Sequence, residues 1–371
     1  MTRILWLTPF SPGPADSGAR LRVAALARGL TGRGHQVDVV DLGASGTGAR
    51  RLQYALGHPM DEVRPDRVGR AILAGTDWRE VAAVVVTQPY LGRLLELVPQ
   101  HVPVVLDAHN VEGDLRADLA ALRGPVGRAV LTVDARRLRR VEEATLGRAT
   151  VTVAVSAADA QALRALSPTA DVRVVPSGAD GNLQPVSPSA TSMDVVMVGH
   201  LAYGPNVDAV LWTARSIWPR VVERVPGARL VVVGRSPARA VRAALDPLPH
   251  AELVADPPEV RPYYTSAAVA FVPLRLGSGT RLKVLEALAL GVPVVSTAKG
   301  VEGLELAPGS ALVAEGAAGL AAALVEVLED PALRGRLAAA GLAQARGPLS
   351  WERAVDALEA VIGELARTAQ R

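Results

Sequence analysis

Short apolar runs alternate with stretches in which apolar residues recur every three or four positions, along almost the whole chain. The first pattern predicts strands buried on both faces, and the second predicts helices that cover them. Ile4–Leu7 reads as the first strand. A Pro/Gly loop follows from Pro9 to Gly18, and Leu21–Leu30 has helical spacing that stops at Gly32 and Gly34. Val37–Val40, Val84–Thr87, Val104–Leu106, Val151–Val155 and Val172–Val175 read as further strands. From Ala179 to Ser192 the periodicity disappears among Gly, Pro, Ser and Asn, which predicts a linker. The alternation then restarts with strands at Val195–Val198, Leu230–Val233, Leu253–Val254, Val269–Val272, Val294–Ser296 and Ala311–Val313. A helix is expected over Val207–Arg224, with Asn206 as its N-cap and Asp208 favoured in its first turn by the helix dipole. A last helix is expected from Trp351 to Arg367.

The fold class is therefore α/β, with two Rossmann-like units. The expected boundaries are 1–180, a linker at 181–192, a second unit at 193–349, and a final helix at 350–371. At 371 residues the chain is long enough for two such cores. Open parallel sheets bind ligands beyond the C-terminal ends of their strands. Two sheets with those edges facing would make a cleft, so the residues at strand ends carry the functional question.

Composition narrows the classes. Cysteine is absent, which excludes disulfides and thiolate metal sites and fits a reducing compartment. The net charge is only +3, and Lys283 and Lys299 are the only lysines. Arginine-rich, lysine-poor usage without basic blocks interleaved with aromatics argues against nucleic-acid binding. Arg136, Arg137, Arg139 and Arg140 form a basic cluster that reads as a solvated helix face or a membrane-surface patch. The N-terminal apolar run is too short for a secretory core, and no stretch approaches the roughly 20 residues needed to span a bilayer. The expected location is cytoplasmic, at most peripheral to the inner face of the membrane.

The strand at Val269–Val272 runs into Pro273 and then Gly277-Ser278-Gly279. Such glycines let backbone amides approach an anion closely. Thr280 is placed to begin a helix, Arg281 and Lys283 to add charged donors in its first turn, and Glu286 to accept from vicinal hydroxyls one turn on. A plainer reading is a tight turn with Lys283 and Glu286 as a surface pair. The strand at Val104–Leu106 ends in Asp107-Ala-His109-Asn110-Val-Glu112. His109 is either a group that meets a reacting sugar or a satisfied structural histidine. Gly18 and Arg20 open the first helix, and Gly199, His200 and Tyr203 follow the strand at Val195–Val198; each set is a ligand contact or a plain loop. No His/Asp/Glu set has metal-site spacing, and no serine stands at a nucleophile elbow.

Together these residues resemble the retaining GT-B glycosyltransferases of family 4, in its Gly-Thr-Arg-x-Lys branch. The likeness rests on Gly199-His-Leu-x-Tyr-x-Pro-Asn206, Ile217-Trp-Pro, Gly279-Thr-Arg-x-Lys-x-x-Glu286, Pro293-Val-Val-Ser-Thr, Asp107-Ala-His-Asn-Val-Glu112 and Val175-Pro-Ser-Gly-Ala-Asp180. It implies two facing Rossmann-like domains with a C-terminal helix crossing back to the first. A nucleoside diphosphate sugar (UDP or GDP) would bind mainly the second domain, through Gly199, His200, Ser278, Gly279, Thr280, Arg281, Lys283 and Glu286, with Gly18 reaching the phosphates from the first. The acceptor would lie on the first domain near Asn110 and Arg20, and residues 44–70 (Arg50, Arg51, Tyr54 and His58) are placed on the same side. It also implies metal-independent chemistry without a cofactor, with His109, Arg281 and Lys283 as the catalytic groups. The chain departs from the usual pattern in two places. Ser278 stands where many members carry the first of two glutamates, and His200 and Pro205 stand where many carry Arg and Lys. Arg281 and Lys283 are read as relocating that charge. A non-catalytic partner of a transferase, or a nucleotide-sugar epimerase on the same scaffold, remains an alternative.

Overall fold

A computed structural model describes residues 2–9, 18–42, 67–186, 191–277, 279 and 281–369. Ser278, Thr280, Arg50, Arg51, Tyr54, His58 and most of the loop after the first strand lie outside the described residues. The chain divides into two compact units. The first holds Met1–Ser177, Ser278–Thr280 and Trp351–Arg371, and the second holds Gly178–Gly277 and Arg281–Ser350.

The first unit contains a six-stranded parallel sheet. Its strands are β1 (Arg3–Thr8), β2 (Gln36–Asp41), β3 (Val81–Thr87), β4 (Val104–Ala108), β5 (Val151–Ala154) and β6 (Val172–Val174). Their order is β2-β1-β3-β4-β5-β6. Connections leave in opposite directions from β1 and β3, so the crevice between those two strand ends is the topological switch point. The central strands are buried on both faces, which explains their unbroken valine, leucine and alanine runs. Trp6 is fully buried, and its indole N–H donates to Thr87 Oγ1 (2.8 Å).

The last helix, Trp351–Ala369, packs against the first, Gly18–Gly32. Gly29 makes the approach possible, because a Cβ there would lie 2.3 Å from Val355 Cγ2. Polar ties flank the contact: Arg33 pairs with Asp356 and Glu359, and His35 meets Glu359. Arg173 on β6 pairs with Glu364.

The second unit repeats the architecture with β7 (Asp194–Val198), β8 (Arg229–Gly234), β9 (Ala251–Ala255), β10 (Ala267–Val272), β11 (Val294–Ser296) and β12 (Leu312–Val313). The order β12-β11-β10-β7-β8-β9 puts the switch point between β7 and β10. Its core is one continuous cluster that includes Trp218, Tyr264 and Phe271. Ala179 N–H donates to Leu349 O (2.6 Å), so the two segments that leave this unit run side by side. No helix among the described residues is long and apolar enough to cross a membrane.

The helix expected over Val207–Arg224 differs in three ways. It begins at Gly204, with Tyr203 at the cap position and Pro205 in the first turn, so Asn206 is not the N-cap. A proline there removes an amide that would lack a partner anyway. A π turn at Thr213–Ile217 then precedes Trp218–Arg224. Pro219 cannot donate to the turn before it, and the wider turn absorbs that missing bond. Asp208 does more than meet the helix dipole: it pairs with Arg275 (2.6 Å), whose guanidinium lies 4.6 Å from the Trp212 ring centre.

Replacing Gly29 by leucine tests the helix docking. The overpacked contact is expected to cost about 1–3 kcal/mol, read as a lower urea midpoint, with faster proteolysis near the start of the last helix. An unchanged midpoint would mean that the last helix is not seated on Gly29.

Candidate functional site

In the first unit the site is built on a buried ion pair. Arg22 sits in the first helix at 2% exposure, and Asp107 lies near the end of β4 at 1%. Arg22 donates from Nη2 and Nε to Asp107 Oδ1 (2.8 and 3.0 Å). Its remaining donors reach Val175 O (2.9 Å), Pro176 O (3.0 Å) and Ser177 Oγ (3.1 Å), just beyond β6. Burial alone would raise the Asp107 carboxyl. The Arg22 charge, followed by His109, overcomes it and holds the group well below the usual carboxylate range.

His109 Nε2 lies 2.8 Å from Asp107 Oδ2. An ionised carboxylate can only accept, so Nε2 carries a proton. Nδ1 is buried and has no partner. The histidine is thus held on one side and open on the other, which a fully satisfied structural histidine would not be.

Asn110 donates to Glu112 Oε1 (2.8 Å), and the Tyr90 hydroxyl donates to the same carboxylate. The amides of Glu112 and Gly113 open the helix Glu112–Ala121 and are taken by Glu142 (2.8 and 3.2 Å). Burial pushes the Glu142 carboxyl up to about 8, and the charges of Glu112 and Asp114 add to it against the two amide bonds. That helix start is occupied by the protein itself, and the result is a fixed Asn110. Gly18 is the exposed first residue of its helix, and Arg20 is half-buried in the first turn.

In the second unit the predicted residues converge on the switch point. Gly199 follows β7, and a Cβ there would lie 3.0 Å from Lys283 Nζ and 2.7 Å from Asn206 Nδ2. Lys283 donates to Asn206 Oδ1 (2.6 Å), and Asn206 donates to His200 O (2.9 Å). The bonds join the segments after β7 and β10 and bring an ammonium over a bare backbone. Burial first, and then the Arg281 charge, pulls Lys283 down to about 7. Its partner is a neutral amide, so no carboxylate offsets the charge.

Several sequence readings need correction here. The helix after β10 spans Leu282–Ala289 with Arg281 at its cap position, and Thr280 lies outside the described residues. Lys283 and Glu286 do not form a surface pair. Lys283 bonds to Asn206, while Glu286 lies 3.4 Å from the Tyr264 hydroxyl. Burial raises the Glu286 carboxyl and the tyrosine bond partly offsets it. Arg281 is 7% exposed; it donates to Gly277 O (2.8 Å) and Lys299 O (3.2 Å) and lies 3.7 Å from Glu302. It therefore ties its loop to the segment after β11, and Lys283 is the cation beside Gly199. Gly277 and Gly279 have φ of +106° and +77°, which only glycine adopts without strain. His200 is exposed and Tyr203 half-buried. Among the described residues no group of three or more His, Asp or Glu could hold a metal ion.

Comparison with known proteins follows this division. Residues 17–182 match Glycosyltransferase Family 4, and residues 192–330 match Glycosyl transferases group 1. A sucrose-phosphate synthase from Thermosynechococcus elongatus is 18% identical; the match covers 99% of this chain and 100% of that one, with a TM-score of 0.77. Anabaena HepE, solved with UDP and glucose, is 14% identical over 98% of this chain and 100% of its own, at 0.66. A glycosyltransferase from Rickettsia africae is 12% identical over 98% of each chain, also at 0.66. The chain has the GT-B glycosyltransferase fold. No curated protein sequence matches it. Both halves of this GT-B chain carry a glycosyltransferase domain, and the residues gathered at each switch point lie inside those matches.

Arg22, Tyr264 and the bridging role of Asn206 were not found from sequence. The one available signal for Arg22 was a charge beside Val23 and Leu26 on a helix face that otherwise packs inward.

Replacing Asp107 by Asn leaves the buried Arg22 without its counter-charge, which is expected to cost about 3–5 kcal/mol. Urea unfolding reads it directly. A loss below about 1 kcal/mol, the range of an exposed pair, would show that the pair does not hold the unit together.

Proposed function

We propose that the protein transfers a glycosyl group from a nucleoside diphosphate sugar to a hydroxyl acceptor, with retention and without a metal ion. The observation that carries this reading is Lys283, held by Asn206 over Gly199 at the switch point of the second unit. A depressed ammonium with a neutral partner suits a site that acquires its counter-charge from the ligand. In this reading the diphosphate supplies it, and Lys283 then stabilises the charge that grows on the departing group. Glu286 accepts the ribose hydroxyls. His109 presents Nδ1 to the reacting sugar as it gains oxocarbenium character. The bond from the anomeric carbon to the diphosphate breaks, the acceptor oxygen bonds to that carbon on the same face, and the acceptor's proton passes to a diphosphate oxygen. No protein nucleophile is needed. The binding of UDP and glucose by HepE supports a sugar nucleotide as donor.

The pH dependence has a definite sign. With Lys283 near 7 in the free protein, every binding event above that pH must take up a proton. The dissociation constant of UDP-glucose or GDP-mannose, whichever binds, is expected to rise by up to about tenfold per pH unit from 7 upward. Lys283→Gln should weaken binding at pH 6.5 and flatten the profile. A flat profile in the unaltered protein would contradict the role of Lys283. Release of nucleoside diphosphate that survives a chelator separates a metal-free transferase from a non-catalytic binding partner, the reading that His200 in place of a cation favours.

A peripheral membrane contact is part of the same proposal. Leu122, Val126, Val130 and Val133 are exposed at 39, 80, 37 and 39%. Spacings of four and three residues put the three valines on one stripe of the helix Pro125–Arg148, beside the positions of Arg136, Arg137 and Arg140, while Leu122 caps the helix before it. Asp134 and Glu142 on that helix are buried. An apolar stripe continued by arginines complements an anionic bilayer surface. The protein should sediment with phosphatidylglycerol vesicles and not with phosphatidylcholine alone, and Val126→Asp should abolish this. Equal sedimentation with both lipids, or with neither, would remove the membrane role.

A further inference from the structure

Gln88 stands directly after β3, at the switch point of the first sheet. Three observations single it out. Its side chain is 3% exposed, and Oε1 has no hydrogen-bond partner among the described residues. Its backbone is at φ 72° and ψ 147°, a region that belongs to glycine. The following Pro89 favours the extended ψ but leaves the positive φ unexplained. Glycine would fit this backbone without strain, yet the chain places a long amide here. Strain and an unsatisfied buried acceptor at one residue mark a position retained for something other than stability.

The surroundings point to what it meets. Gln88 N–H donates to Asp107 O (3.1 Å), which fixes the residue beside the strand that carries Asp107 and His109. His109 Nδ1 is the other buried, unpartnered polar atom on these two strand exits. When the ring carries a single proton, held on Nε2 by Asp107, Nδ1 is an acceptor, as is the Gln88 amide oxygen. A phosphate oxygen has no proton to give either of them. Two acceptors on adjacent strands need a ligand with several hydroxyls, such as a pyranose ring.

We propose that Gln88 accepts a hydrogen bond from a hydroxyl of the transferred sugar and orients that sugar against His109. The proposal rests on the nucleotide-sugar reading above and adds a residue in the first unit that recognises the sugar and not the nucleotide.

The test compares Gln88→Gly with the unaltered chain in three measurements: thermal midpoint, UDP affinity, and nucleoside diphosphate release from UDP-glucose and GDP-mannose. The glycine variant should melt at the same temperature or higher, because the backbone strain is relieved. Its UDP affinity should be unchanged, since UDP lacks the transferred sugar. Nucleoside diphosphate release should fall by tenfold or more. Gln88→Glu, which keeps an acceptor, should recover part of that loss. An active parent and a glycine variant with equal release would overturn the role of Gln88 and leave the transferase reading standing. Equal loss of UDP affinity and release would also overturn it, by placing Gln88 at the nucleotide. A parent that binds UDP but releases nothing from either donor would overturn the underlying reading and this proposal with it.

Discussion

The first unit depends on one buried ion pair. Arg22 and Asp107 are almost fully enclosed, and removing two charges from water costs several kcal/mol each before any attraction is counted. The structure offsets that cost by satisfying the groups completely. Arg22 spreads its donors over Asp107, two carbonyls and a hydroxyl, and Asp107 also receives His109. One guanidinium thereby ties the first helix to β4 and to the chain just beyond β6. The same carboxylate fixes the imidazole, so the interaction that closes the core also sets which ring nitrogen is left open.

The second unit solves a related problem in the opposite sense. Lys283 is half-buried, and it meets an amide where Arg22 meets a carboxylate. A neutral partner positions the ammonium without neutralising it. Burial then lowers its proton affinity. Arg281, two residues earlier, donates to one carbonyl of its own loop and one of the segment after β11, and the glycines at positive φ shape that loop. The two neighbouring cations differ in their partners: one meets backbone carbonyls and the other a side-chain amide.

The strands of the described residues were legible because both sheets are parallel and their central strands are covered on both faces, which turns those strands into apolar runs with clear ends. The helix starts were less so. Asn206 has the residue type of an N-cap, but Pro205 moves the start forward and places Asn206 where it bridges His200 and Lys283. The π turn before Trp218 follows from Pro219, yet a proline so placed equally suits a fresh helix start. The strand-end motifs singled out Gly199, Lys283 and His109; the structure sets Lys283 beside Gly199 in the second unit and His109 beside Asp107 in the first. The partnerships among them were hidden, because Arg22 and Asp107 are 85 residues apart and meet only when the sheet forms. Gln88 was out of reach for the same reason. Its backbone has a positive φ, and nothing in the residues around it announces that conformation.

The central claim is that the Arg22–Asp107 pair holds the proton of His109 on Nε2 and leaves Nδ1 for the sugar. Nitrogen-15 NMR of the histidine side chains, with His109 assigned by substitution, reads this directly. The account predicts a protonated Nε2 and an Nδ1 resonance that shifts when the sugar nucleotide binds but not when UDP alone is added. A neutral ring with its proton on Nδ1, or an Nδ1 resonance indifferent to the sugar, would contradict it.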